Sequence, residues 1–135
     1  MKASESVVFV NAEVGPLTTA GTFRYEVGKA ENDQYGNMLT TVKCHGKVTS
    51  ETAWELREAV KPLLAIGGRI IVDLSDVHYL DSSGLGTLVG LKLTAIKRGY
   101  CILELANATP RILELLRVSN LTQILSPSQS ASPRN

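Results

Sequence analysis

The sequence predicts a small α/β sandwich: a mixed sheet of four to five strands with helices packed mainly on one face. Two observations carry this. Short apolar or alternating runs occur at residues 22–28, 38–46, 69–74 and 100–105, and helical stripes at 53–65 and 83–98 separate the later ones. Strand and helix in alternation call for parallel pairing with helical crossovers in at least part of the sheet. The bulk numbers agree. The chain has 135 residues, 44% of them hydrophobic and 20% charged, the composition of one domain with a real core rather than a disordered chain.

Residues 1–21 read as an N-terminal extension. Val7-Val8-Phe9-Val10 is a candidate accessory strand there, ended by Gly15-Pro16. The domain proper is expected over 22–125. Thr22 to Gly28 sets Phe23, Tyr25 and Val27 against Arg24 and Glu26, a period of two that marks a half-buried strand. Glu31 to Asn37 is turn chemistry. Met38 to Gly46, with Leu39, Val42 and Cys44, is a second strand beside the first.

Thr49 and Ser50 are candidate N-caps, since a hydroxyl accepts from the free amides of a first turn. The helix they open runs to about Ala65 with Ala53, Leu56, Val60, Leu63 and Leu64 as its stripe. Gly67-Gly68 ends it, and Pro62 is expected to kink it or stop it early. Ile70-Ile71-Val72 lacks polar alternation, which predicts a strand covered on both faces. A loop from Asp73 to Gly86 follows.

The second helix spans about Ser83 to Arg98, with Leu85, Leu88, Val89, Leu93 and Ile96 on one face. Lys92, Lys97 and Arg98 suit the negative end of its dipole, and Gly99 stops it. Tyr100 to Leu105 is a short buried strand. Pro110 opens a third helix carrying Ile112, Leu113, Leu115 and Leu116. Leu121 to Leu125 is a last apolar element, and the Ser/Pro-rich stretch 126–135 is expected to be a disordered tail.

Charge and cysteine usage exclude several classes. Lys plus Arg is 14 and Asp plus Glu is 13, so general electrostatics gives no case for nucleic-acid or membrane binding. Cys44 and Cys101 lie in apolar runs and read as reduced, buried thiols. Met1 to Ser6 lacks a signal-peptide core, and no apolar run approaches the roughly 18 residues of a membrane span. A cytoplasmic protein is expected. No nucleophile with a paired base is visible, so no enzyme is expected.

The chemistry concentrates at Leu80-Asp81-Ser82-Ser83-Gly84-Leu85-Gly86-Thr87. Two adjacent hydroxyls sit where a strand gives way to a helix, whose free amides favour an anion. Capping is the plain reading of Asp81, Ser82 and Ser83, and it is compatible with phosphorylation. Spacing alone does not choose between the hydroxyls. Gly84 and Gly86 leave backbone bare to a partner. Gly84-Leu85-Gly86 is no phosphate-cradling loop, because no Gly-Lys-Ser/Thr follows. Asp73, Asp76 and Asp81 fit turn-capping better than a cation site, and His45 and His78 lack a ligand pattern, so no metal is expected. Trp54 lies off its helix stripe. Partial burial at the core edge is expected for it, with an interface anchor as the alternative. A receiver domain with Asp73 as acceptor does not fit, because Val27-Gly28-Lys29 lacks the needed acidic pair.

The run Val72-Asp73-Leu74-Ser75-Asp76-Val77-His78-Tyr79-Leu80-Asp81-Ser82-Ser83-Gly84-Leu85-Gly86 resembles the phosphorylation loop of STAS domains, in particular the bacterial anti-sigma factor antagonists. The likeness extends over about Thr22 to Leu125 and includes the final run from Ala108 to Leu121. It implies a STAS-like sandwich and a partner-switching regulator of transcription. The phosphate acceptor would be Ser82, with Ser83 as second choice, and Asp81 to Gly86 would form the partner-binding loop. The unphosphorylated chain would bind an anti-sigma factor that is also a serine kinase. Phosphorylation with ATP would release it, and a metal-dependent serine phosphatase would reset it. ATP and metal belong to the partners, so no cofactor is implied here. The alternative is a STAS scaffold subunit of a stress-sensing or transporter-associated complex. Gly46-Lys47-Val48-Thr49 stands where such antagonists often carry an acidic residue.

Overall fold

A computed structural model describes residues 9–10 and 23–125. The elements are β1 (Phe9–Val10), β2 (Phe23–Val27), β3 (Glu31–Asn32), β4 (Met38–Val48), α1 (Ala53–Ile66), β5 (Gly68–Leu80), α2 (Ser82–Arg98), β6 (Cys101–Ala106), α3 (Pro110–Val118) and α4 (Thr122–Leu125). Five strands lie in the order β1-β2-β4-β5-β6, with the short β3 on β4. The β1–β2, β2–β4 and β3–β4 pairs are antiparallel. The β4–β5 and β5–β6 pairs, each bridged by a helix, are parallel. This is the mixed α/β sheet the alternation predicts. The rest of 1–21 and all of the expected tail 126–135 lie outside the described residues.

One apolar cluster holds the molecule together. Val42, Val48, Leu56, Leu74, Leu88, Leu103, Leu105, Ile112 and Leu116 are almost wholly buried in it. Burying such a side chain stabilises by roughly 1.5–3 kcal/mol. Cys44 and Cys101 are both free and buried, on strands separated by β5. Burial pushes the Cys44 thiol strongly up, so it stays protonated and inert.

β5 corrects the expected loop. It runs to Leu80, well past Leu74. Its register against β4 slips between Lys43 and His45 and again between Gly46 and Lys47, each time with one extra residue on β5. The buried positions accordingly change from Ile70, Val72 and Leu74 to Leu74, Val77 and Leu80. Coverage on both faces is also corrected. Ile71 is only half-buried, because the helices leave its side of the sheet open.

Pro62 neither ends nor shortens α1, which continues to Ile66. The amide it lacks would have bonded the carbonyl of Glu58, and both residues are exposed, so that carbonyl is not buried without a partner. The N-cap is Thr52 rather than Thr49 or Ser50. The Thr52 hydroxyl accepts from the Thr49 amide and donates to the Lys47 carbonyl, closing the turn before the helix. The buried face of α2 is Gly84, Leu85, Thr87, Leu88, Leu91 and Ala95. Leu93 and Ile96, expected in the stripe, are exposed, because α2 turns Leu88, Leu91 and Ala95 to the core, with Gly84 close against β4. Pro110 does sit in the first turn of α3, where Thr109 Oγ1 accepts from the Ile112 amide.

Candidate functional site

Asp81 organises the junction of β5 and α2. Its Oδ1 accepts from the amides of Ser83 (2.9 Å) and Gly84 (3.0 Å), and its carbonyl accepts from Leu85 (2.9 Å). Its Oδ2 accepts from the Ser50 amide at 3.2 Å, and its own amide donates to the Val48 carbonyl. One side chain thus caps α2 and ties it to the turn before α1. The helix end already holds an anion, which refines the expectation of free amides there.

The segment Asp81 to Gly86 is not a loop. All of it but Asp81 lies in α2, and its residues divide by side. Ser82 is exposed, Ser83 is half-buried and Gly86 is exposed. Gly84 and Leu85 are buried. A Cβ on Gly84 would stand 2.6 Å from the Val48 carbonyl oxygen and 2.7 Å from Leu80 Cδ1. Gly84 therefore lets helix meet strand and is not open to a partner, a correction to the expected role. Gly86 is open, with nothing within 4 Å of such a Cβ. Leu85 anchors the helix from below.

Trp54 is 55% exposed, which corrects the expected burial. It shares a groove with Ser83 and Gly86 between α1 and α2.

A family profile described as "Mlab, STAS domain" matches residues 38–126. The chain belongs to the STAS domain family. The anti-sigma-B factor antagonist of Bacillus subtilis (strain 168) is 33% identical to this STAS chain over 100 residues, 74% of this chain and 85% of that protein. An anti-sigma factor antagonist from Mycobacterium paratuberculosis matches in structure with a TM-score of 0.63 at 17% identity, over 82% of this chain and 89% of that one. The anti-sigma factor antagonist SpoIIAA in its unphosphorylated form matches at 0.57 and 16% identity, over 78% and 90%. At such identities the solved structures speak for the fold.

Three further carboxylates of the STAS chain, Glu26, Asp73 and Asp76, hold partners on the sheet side of the molecule. Asp73 Oδ1 accepts from the Ser75 amide (2.9 Å), a turn cap. Asp76 Oδ2 lies 2.6 Å from His45 Nδ1, and Glu26 Oε2 lies 2.7 Å from His45 Nε2. An imidazolium satisfies both carboxylates at once, since each ring nitrogen then donates. The His45 hydrogen bond holds the Asp76 carboxyl below the usual carboxylate range. Sequence reasoning missed this cluster. The alternation of β2 set Glu26 opposite its apolar residues, but its pairing with His45 needs the sheet register. Among the described residues no group of three or more His, Cys, Asp or Glu side chains is arranged to hold a metal ion. No helix among them is long and apolar enough to cross a membrane.

Proposed function

We propose that this STAS chain is a cytoplasmic anti-sigma factor antagonist that works by partner switching, with Ser82 as its phosphate acceptor. Unphosphorylated, it binds an anti-sigma factor that is also a serine kinase, and so frees a sigma factor. The Ser82 hydroxyl then attacks the γ-phosphorus of the kinase's ATP, ADP leaves, and the hydroxyl proton is lost. The phosphorylated chain dissociates, and a metal-dependent serine phosphatase restores the hydroxyl. Catalysis belongs to the partners. The binding unit is residues 22–125.

The observation that carries this reading is the exposed Ser82 side chain at the first position of α2, beside the capping Asp81. Ser83 is half-buried and Leu85 buried, so Ser82 is the hydroxyl of the pair more open to a kinase. The antagonist named among its relatives supports the partner class. Phosphate brings about −1.5 to −2 charges. Asp81 already occupies the Ser83 and Gly84 amides, so the new charge finds little compensation there. In a fitted interface its desolvation is costly.

Incubation with the host's serine-kinase anti-sigma factors and ATP, followed by phosphosite mapping, tests the proposal. Label on Ser82, lost in Ser82→Ala, is expected. Label on another residue, or none with any such kinase, overturns it.

A further inference from the structure

The groove between α1 and α2 has a volume of about 690 Å³, and Ser50 and Ser83, the neighbour of Ser82 in the chain, are among its lining residues. Trp54, Arg57 and Lys61 line it from α1, at the spacing of one helix face. On α2 the lining positions include Ser83, Gly86, Gly90 and Thr94, ending at Arg98. These are small residues, and a Cβ at Gly86 or Gly90 would meet nothing within 4 Å. At these two glycines the helix backbone is bare, and the exposed indole of Trp54 lines the same groove.

The charge is one-sided. Arg57, Lys61 and Arg98 line the groove and no carboxylate does. None of the three is in an ion pair among the described residues. The whole chain is nearly neutral at +1, so this cationic wall is local. Ser83 to Arg98 spans about 22 Å along α2 at the helical rise.

We propose that this groove receives an acidic amphipathic helix of the anti-sigma factor kinase. Apolar side chains of that helix pack on Trp54 and the bare glycine positions, and its carboxylates meet Arg57, Lys61 and Arg98. The inference rests on the partner class proposed above and adds the chemistry of the docking segment. It also supplies a reason for release. A phosphate on Ser82 places negative charge one residue from the groove-lining Ser83, and so repels a negative ligand held in the groove.

Trp54 is the chain's single tryptophan, and its fluorescence reports on the groove without labelling. The full chain is titrated with the kinase that phosphorylates it, as wild type, as the double variant Arg57→Glu/Lys61→Glu, and as Lys97→Glu. Lys97 is exposed and does not line the groove. Wild type is expected to show a blue-shifted Trp54 emission on binding. The double variant should keep its circular dichroism and bind at least about 30-fold more weakly. Lys97→Glu should bind within about twofold, as a charge away from the contact does. A double variant that binds like wild type, or an equal loss in Lys97→Glu, overturns the docking proposal while leaving the antagonist reading intact. No binding by wild type to any such kinase overturns that reading and this one with it. A blue shift that grows with the chain's own concentration, without kinase, assigns the groove to a second copy and overturns the proposal.

Discussion

Gly84 and Gly86 stand two residues apart on α2, one against the core and the other open to solvent. At Gly84 a side chain would strike the Val48 carbonyl oxygen, and at Gly86 it would meet nothing. The same residue type thus answers opposite demands. On the inward side of these two turns, Gly84, Leu85 and Leu88 set how closely α2 approaches β4 and β5. On the outward side, Ser82, Gly86 and Gly90 contribute little to stability and leave surface free for a partner. Two sides of one helix therefore separate folding from recognition. Such separation lets a phosphate change binding without unfolding the domain.

The sharpest way to break this contrast is Gly84→Ala. The clash is with backbone, so strand or helix must shift, at a cost of about 3 kcal/mol. Thermal unfolding should show a large drop in midpoint, and an unmoved midpoint would mean that the inward contact is loose. Ser82→Asp acts on the other side. It should weaken kinase binding roughly 100-fold, or about 2.7 kcal/mol, with native circular dichroism. Calorimetric titration reads the first and a spectrum the second.

Asp81→Ala tests the hinge between the two sides. Loss of the cap on α2 should cost about 1–2 kcal/mol in urea unfolding. Gly86→Ala should do the reverse of Gly84→Ala and raise stability by about 0.5–1 kcal/mol, as glycine does when replaced in an open helix site. Its kinase binding should fall, because the added methyl stands between helix and ligand.

The smallest effect belongs to acid and lies away from α2. The Asp76 carboxyl titrates below its ordinary value because of His45. Its stabilising share is present above the unfolded carboxylate range and is lost as pH falls through the lower, folded value. Asp76→Asn should remove that step from the acid limb of a stability curve measured below about pH 4, leaving the behaviour of α2 unchanged.

Much of this was legible along the chain. The strand β2, the stripe of α1, the junction at Asp81 and Pro110 at the start of α3 all follow from neighbours a few residues apart. The second half of β5 was not legible. Leu74, Val77 and Leu80 recur every three residues because the strand carries two extra residues against β4, and a period of three resembles neither a regular strand nor a helix. The face of α2 was legible only in its first half: Leu85 and Leu88 do face the core, but Leu93 and Ile96 do not. Leu93 and Ile96 are strong apolar signals, yet the buried stripe continues through Leu91 and Ala95, and at Gly84 the helix meets β4 by lacking a side chain, which no hydrophobicity pattern records.

The amino-acid sequence by itself determined the order of elements, the parallel crossovers and the capped serine pair at the head of α2, because periodicity, caps and turns act between residues close in the chain. Tertiary structure alone decided which glycine is buried and how β5 runs beyond its first bulge. It also decided that His45 joins Glu26 and Asp76, 19 and 31 residues away, and that α1 and α2 enclose a cationic groove. Those features depend on distances between residues remote in sequence, set when the sheet register and the helix spacing lock together.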